Sequence, residues 1–282
     1  MADQGNLVYC HCPEPGVFAP GRVRNQAVKR ARGRFIFLFD ADLLISRVLV
    51  ESLAMHRLAM EEEGVSAFRM FPCLYLAQSY ASGFSKQFST LSSQSHLYSE
   101  VLSSYLLGEL TQVDGIALAS SCLLMRRDWF MALGGFSNEF AGHGCEDFDL
   151  IHRLAAFYPV GSKPDDYSVD AKHQFPGSYQ GFRRYYSYYA LPHLFEGNFL
   201  LHQWHPRPLA KAYHRKRKEN EALFKEVLDF PQLRLPKPLQ GELCSKEVAD
   251  ALAKIPFDSN KALPEFQTWI RQLQVDNGFS RL

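Results

Sequence analysis

A chain of 282 residues, 46% hydrophobic and 22% charged, holds enough apolar material for one large α/β domain, alone or with a small helical appendage. Its 31 basic and 30 acidic residues leave a net charge of +1, which excludes a global attraction to nucleic acid or an anionic membrane, so a negatively charged ligand must be held locally. The sequence contains no apolar run of transmembrane length, no signal-peptide pattern at MADQGNLVYC, and six cysteines (10, 12, 73, 122, 145 and 244) whose spacing fits no zinc ribbon or finger. A cytoplasmic protein with reduced thiols is the simplest expectation.

In chain order, residues 7–12 read as a short buried strand, and Val23 to Ala31 as a helix with basic residues between its apolar positions, stopped by Gly33. Phe35 to Phe39 is an unbroken apolar run before two aspartates, the pattern of a central parallel strand buried on both faces. A helix over 47–63 and a strand over 65–76 follow. The stretch 77–113 reads as a Ser/Gln-rich loop and then a helix at SEVLSSYLLGEL. Ile116 to Met125 reads as one buried strand, Arg127 to Leu133 as a helix closed by Gly134-Gly135, Asp147 to Phe157 as another helix, and Asn198 to Trp204 as a strand. From Pro206 onward the pattern is helical and polar, with proline breaks at 231–238. Strand–helix alternation up to about residue 205 predicts an α/β domain over 1–208 with a mostly parallel sheet, and a helical C-terminal extension over 209–282.

Four constellations can carry chemistry. Asp40 and Asp42, at i and i+2 on an extended backbone, would aim two hard oxygen ligands at one Mg²⁺ or Mn²⁺; the plain alternative is two surface aspartates at a strand-to-loop junction. The glycine-rich stretch Gly134 to Asp149 brings Glu146 and Asp147 to a helix start between aromatic residues, a setting that raises a carboxylate toward general-base duty. The acidic first turn of an ordinary helix explains the same letters. His202 and His205 end a strand beside Trp204 and could complete a metal site, or be ordinary surface and core histidines. Arg24 and Asn25 head a helix and could touch a nucleotide's phosphate or base, or belong to a solvated basic helix. The run Arg183 to Tyr189 reads as a helix packing its aromatics on the core, and His214 to Lys218 as a solvated helix face. No nucleic-acid motif is present.

Three segments, GRVRNQAVKRARGRFIFLFDADLLIS, LASSCLLMRRDWFMALGGFSNEFAGHGCEDFDLIHRL and NFLLHQWHPRP, in this order and spacing, resemble the GT-A glycosyltransferases. The likeness is to the group of chondroitin-type polymerases, β-1,4-galactosyltransferases and bacterial capsule glycosyltransferases, and spans about residues 21–206. It implies a Rossmann-like GT-A fold, N-terminally shortened, and an inverting transfer from a nucleotide-sugar, UDP-linked by the family's habit, to a glycan or polysaccharide acceptor. It implies that Asp40 and Asp42 bind the metal (Mn²⁺ or Mg²⁺) and the diphosphate. Asp147 would be the base and Glu146 its acceptor-engaging neighbour. His202, with His205 as alternative, would be the late metal ligand, and Arg24 and Asn25 would lie near the nucleotide. A capsule or cell-surface role, at the inner face of the membrane in a synthase complex, goes with that group. This chain departs from the pattern at Cys145, where the family usually has glycine, and at His143, near which it often has tryptophan. A catalytically silent GT-A-like module that binds glycan or supports a synthase partner is the competing expectation. A metal-dependent phosphoesterase ranks last, because a two-metal site needs a denser ligand cluster.

Overall fold

The computed structural model describes residue 9 and residues 11–13, 16–81, 91–173, 175–206, 212–239 and 245–258. Helix α1 (Pro20–Arg30) starts on a proline at its first position, where the missing N–H costs nothing. Strands β1 (Phe35–Leu38) and β2 (Leu43–Ile45) follow, then α2 (Arg47–Glu63), capped by Ser46, whose hydroxyl accepts the Leu49 N–H at 3.0 Å. Next come β3 (Phe68–Met70), β4 (Cys73–Leu76), α3 (Leu91–Leu106), β5 (Val113–Ala117), β6 (Leu123–Arg126), α4 (Arg127–Ala132) and α5 (Glu146–Phe157). A two-residue strand β7 (Asp170–Ala171), α6 (Gly181–Phe195), β8 (Leu200–His202), α7 (Ala212–Arg215), α8 (Arg217–Asp229) and α9 (Lys246–Leu252) complete the order.

The strands form two sheets, β1-β6-β3 and β2-β8-β4-β5. Of the five described strand pairings only β4 with β8 is parallel, which corrects the expectation of a mostly parallel sheet. That expectation rests on strand–helix alternation and on the apolar run Phe35–Leu38, yet β1 is an edge strand in which only Ile36 is buried, so an apolar run marks neither a central strand nor the direction of its neighbours. Two further expected strands each divide in two. Residues 65–76 leave one sheet at β3, turn at Phe71-Pro72, and enter the other at β4. Residues 116–125 cross back, from β5 to β6, through a turn in which the Ser120 hydroxyl donates to the Phe71 carbonyl at 2.8 Å. Both halves of each run are buried, so hydrophobicity alone gives no sign of the break. The passage from β1 to β2, at Asp40–Asp42, is a third crossing.

Other differences are smaller. The α3 helix begins earlier than SEVLSSYLLGEL. The loop expected before it lies partly outside the described residues, as does most of the expected strand 7–12, of which Tyr9, His11 and Cys12 form no strand. The tyrosines of α6 pack as expected: Tyr185, Tyr186 and Tyr189 are buried in the main core with Phe182 and Leu194. Phe224 and Leu228 of α8 enter the same core. No described helix is long and apolar enough to cross a membrane.

Gly181, the first residue of α6, has a φ of 63°, and a Cβ there would lie 1.9 Å from the Val169 carbonyl oxygen. A backbone atom cannot swing aside as a flexible side chain can. Gly181→Ala is expected to lower stability by more than about 2 kcal/mol, read as a reduced urea midpoint at unchanged slope. A midpoint equal to the parent's would contradict this packing.

Candidate active site

The three sheet crossings meet at one cleft of about 570 Å³. Arg24, Asp40, Asp42, Glu146, Asp147, His202 and His205 all line it, seven of the eight expected site residues. The eighth, Asn25, does not.

Asp40 and Asp42 do not aim together as an extended backbone would require. The Leu43 N–H donates to the Asp40 carbonyl at 3.2 Å, so this segment is a turn, and the i, i+2 argument loses its premise. Asp40 faces α1 and α5: it accepts from the Arg24 guanidinium at 2.5 Å and from the Ser121 hydroxyl at 2.9 Å. Asp42 faces β8. The antiparallel register pairs Leu43 with His202, and the Gln203 N–H donates to the Asp42 carbonyl at 3.1 Å. This places His202 Nε2 3.3 Å and His205 Nε2 3.2 Å from Asp42 Oδ2. One donor atom from each of these three residues lies within 4.8 Å of the others, a span that one divalent cation can bridge. Asp42 Oδ1 is buried without a hydrogen-bond partner among the described residues, as expected of an oxygen waiting for a ligand. Tyr75, paired with His202 across β4 and β8, lays its ring 4.6 Å from the imidazole and fixes its plane.

Glu146 and Asp147 open α5, where unpaired backbone N–H groups favour acids. Arg24 reaches both, donating to Asp147 at 3.0 Å and to Glu146 at 3.4 Å. Burial pushes the Glu146 carboxyl up to about 8, the charge of Asp147 adds to this, and Arg24 opposes it. Asp147 is raised as well, first by desolvation, with Arg24 again opposing. Burial works against the charge on Arg24, but Asp147 and Asp40 outweigh it and hold the guanidinium firmly protonated. The residue before this pair, Cys145, sits in the left-handed region with φ 73°, a conformation natural to glycine, and its thiol is buried. The departure noted in the sequence therefore retains the backbone shape of a glycine.

Asn25 is buried inside the α1–loop contact. Its amide donates to the Phe136 carbonyl at 2.8 Å and accepts the Phe136 N–H at 2.9 Å, so it clamps the glycine-rich loop and does not line the cleft. Sequence reasoning also missed several lining residues. Ser121 was hidden inside an apolar run. His214 and Arg217 were assigned to a solvated face, yet both line the cleft with Tyr213. Arg183 lines it too, stacked 4.8 Å over Phe148, although the tyrosines around it are core. The Arg–Tyr alternation of 183–189, read at helical period, was the available signal.

Two measurements follow from this geometry. Asn25→Ala leaves both polar groups of Phe136 unpaired and is expected to cost about 2–4 kcal/mol of stability, while ligand affinity of the folded fraction stays within about twofold. A stable variant with weakened ligand binding would return Asn25 to the ligand. Glu146 binds its proton more tightly folded than unfolded, so its contribution is full below the ordinary carboxylate value near 4.5 and is lost as pH rises through about 8. Urea unfolding between pH 5 and 9 should show a decline that Glu146→Gln flattens; parallel curves would disprove the burial of this charge.

A search of curated proteins returns no match to the chain. A sequence profile described as "Glycosyltransferase like family 2" matches residues 1–229, most of the chain and every residue of the cleft named above. The chain therefore belongs to this family and is a glycosyltransferase of GT-A fold that draws on a nucleotide-sugar donor.

Proposed function

We propose that the protein is a metal-dependent inverting glycosyltransferase that moves a sugar from a nucleotide-sugar, UDP-linked by the motif likeness, to a hydroxyl of a glycan or polysaccharide. The observation that carries this reading is the convergence, in one cleft, of an Asp–His–His cluster with buried Glu146 and half-buried Asp147, which Arg24 ties to Asp40. Asp42, His202 and His205 would hold the cation. Two imidazoles make this donor set softer than the all-oxygen shell that Mg²⁺ favours, so Mn²⁺ is the better fit of the two ions expected. Such an ion, when bound, neutralises charge on a departing nucleoside diphosphate.

The chain's own residues do the rest. Asp147 accepts the proton of the acceptor hydroxyl as its oxygen attacks the anomeric carbon and the bond to the diphosphate breaks. Desolvation makes this carboxylate more basic than one in water, and Arg24 limits the rise. Glu146, largely protonated near neutral pH, can donate a hydrogen bond to a second acceptor oxygen. Arg24 orients the base and Asp40 together through its two terminal nitrogens. Ser121 holds the far oxygen of Asp40. Capsule or cell-surface polysaccharide is the acceptor class proposed, and the inner face of the membrane, within a synthase complex, the proposed site of action.

Calorimetric titration with UDP, GDP and CDP, with and without Mn²⁺, tests the donor side. UDP is expected to bind only with Mn²⁺, and Asp42→Ala to abolish that dependence. Asp147→Asn is expected to keep Mn²⁺-dependent UDP binding and to lower kcat by about 10²–10⁴-fold. Full activity in the Asp42→Ala protein would sink the proposal.

A further inference from the structure

A second cluster of ligand atoms lies outside the cleft. His56 on α2 and His193 and Glu196 at the end of α6 each present one donor atom, all within 4.8 Å of one another. We infer that His56, His193 and Glu196 form a second binding site for a divalent transition ion of the Zn²⁺ class, separate from the cluster at Asp42.

Several features of these side chains favour a ligand over a plain core contact. His56 Nε2 is buried and has no hydrogen-bond partner among the described residues, a costly state for a polar atom unless something fills it. His193 Nδ1 lies 3.3 Å from Glu196 Oε2, and the Asn198 amide donates to that same oxygen at 3.2 Å. An amide donating to a ligating carboxylate is the outer support that metal sites use. The Phe71 ring packs on both imidazoles, with centroids 5.3 Å from His56 and 4.9 Å from His193, and shields that side from water. The nearby positive charge of Arg69 is met by Glu63, which accepts from it at 2.5 and 2.9 Å, so it does not repel a cation unopposed.

Two imidazoles and one carboxylate are the donor types that Zn²⁺, Co²⁺ and Ni²⁺ prefer over Mg²⁺ or Ca²⁺. An ion here would tie α2 to the end of α6. From that end the chain runs through Gly197 and Asn198 into β8, whose last residue is His202. The role is structural: it fixes the launch of the strand that carries the cleft's histidines.

The test uses tag-free Asp42→Ala/His205→Ala protein, in which the cleft cluster has lost two donors. After incubation with Zn²⁺ and gel filtration, this protein is expected to retain about one equivalent of zinc. Adding Glu196→Gln, a change at an exposed side chain that keeps an oxygen for Asn198, is expected to weaken Zn²⁺ binding by about tenfold or more. Adding His56→Gln is expected to remove the bound equivalent and with it the Zn²⁺-induced rise in Tm. A double variant that retains no zinc overturns the proposal, and so does unchanged zinc affinity after Glu196→Gln. Because the cleft is disabled throughout, neither result depends on how the transferase reaction proceeds.

Discussion

One guanidinium organises the cleft. Arg24 stands on α1 with Asp40 on one terminal nitrogen and Asp147 and Glu146 on the other. At partly buried spacing and an effective dielectric near 20, charges about 4 Å apart interact by about 4 kcal/mol. Without the guanidinium, the three acids would lose the cation that bridges them and would shed charge by taking up protons. With it, three acids still outnumber one cation, which is why burial and mutual repulsion raise Glu146 even with Arg24 beside it. A lysine could not do the same work, since a single ammonium does not present two separated donors to two separate acids. The neighbouring residue completes the hold: Asn25 grips the start of the glycine-rich loop at Phe136, and Arg24 grips its end at Glu146 and Asp147. Two successive positions of α1 thus fix both ends of one loop.

The second constraint is register. Asp42 meets His202 because β2 and β8 run antiparallel with Leu43 opposite His202. A slip of one residue would turn His202 to the opposite face and leave Asp42 facing a leucine. Tyr75 guards against that slip from β4, the parallel neighbour of β8. The cleft therefore takes Asp40 and Asp42 from a turn where the chain passes between sheets, Glu146 and Asp147 from the start of α5, and His202 from a strand locked on both sides. Turns supply the tight curvature that brings Asp40, Asp42 and Ser121 together, while the strand supplies a rigid wall.

Much of this was legible in the letters. Each of the DxD, GGF…ED and His-strand segments has an ordinary structural reading by itself, but their order and spacing together, with the Arg24 helix, point to one site, and the fold brings seven of those residues to one cleft. What stayed hidden depended on partners far away in sequence. Asn25 reads as a ligand contact because it stands beside Arg24 at the head of a helix, but only the folded loop reveals that Phe136 uses both halves of its amide. Asp40 and Asp42 looked like a single pair because a dipeptide step does not tell a turn from a strand. The mostly parallel sheet rested on strand–helix alternation and on the run Phe35–Leu38, and neither an alternation nor apolar content fixes strand direction. The breaks at Phe71-Pro72 and at Ser120-Ser121 escaped for the same reason: the chain changes sheets without leaving the core.

The helices after residue 208 bear on how large the working unit is. Tyr213, His214 and Arg217 line the cleft, and Asn220 of α8 donates to the carbonyls of Ala141 and His143 at 3.1 and 3.2 Å. Those carbonyls flank Gly142, whose φ is 78° and where a Cβ would meet the Tyr213 carbonyl oxygen at 2.7 Å. The loop that delivers Glu146 and Asp147 is therefore pressed from the far side by α7 and α8 and held from the near side by α1. Phe224 and Leu228, four and eight residues on from Asn220 and on the same face of α8, are buried in the main core, so this pressure is backed by core packing. Residues on both sides of position 208 build one cleft, and the family match, which runs to 229, ends where α8 ends. The acid pair keeps its place because the loop before it has no free side on which to relax.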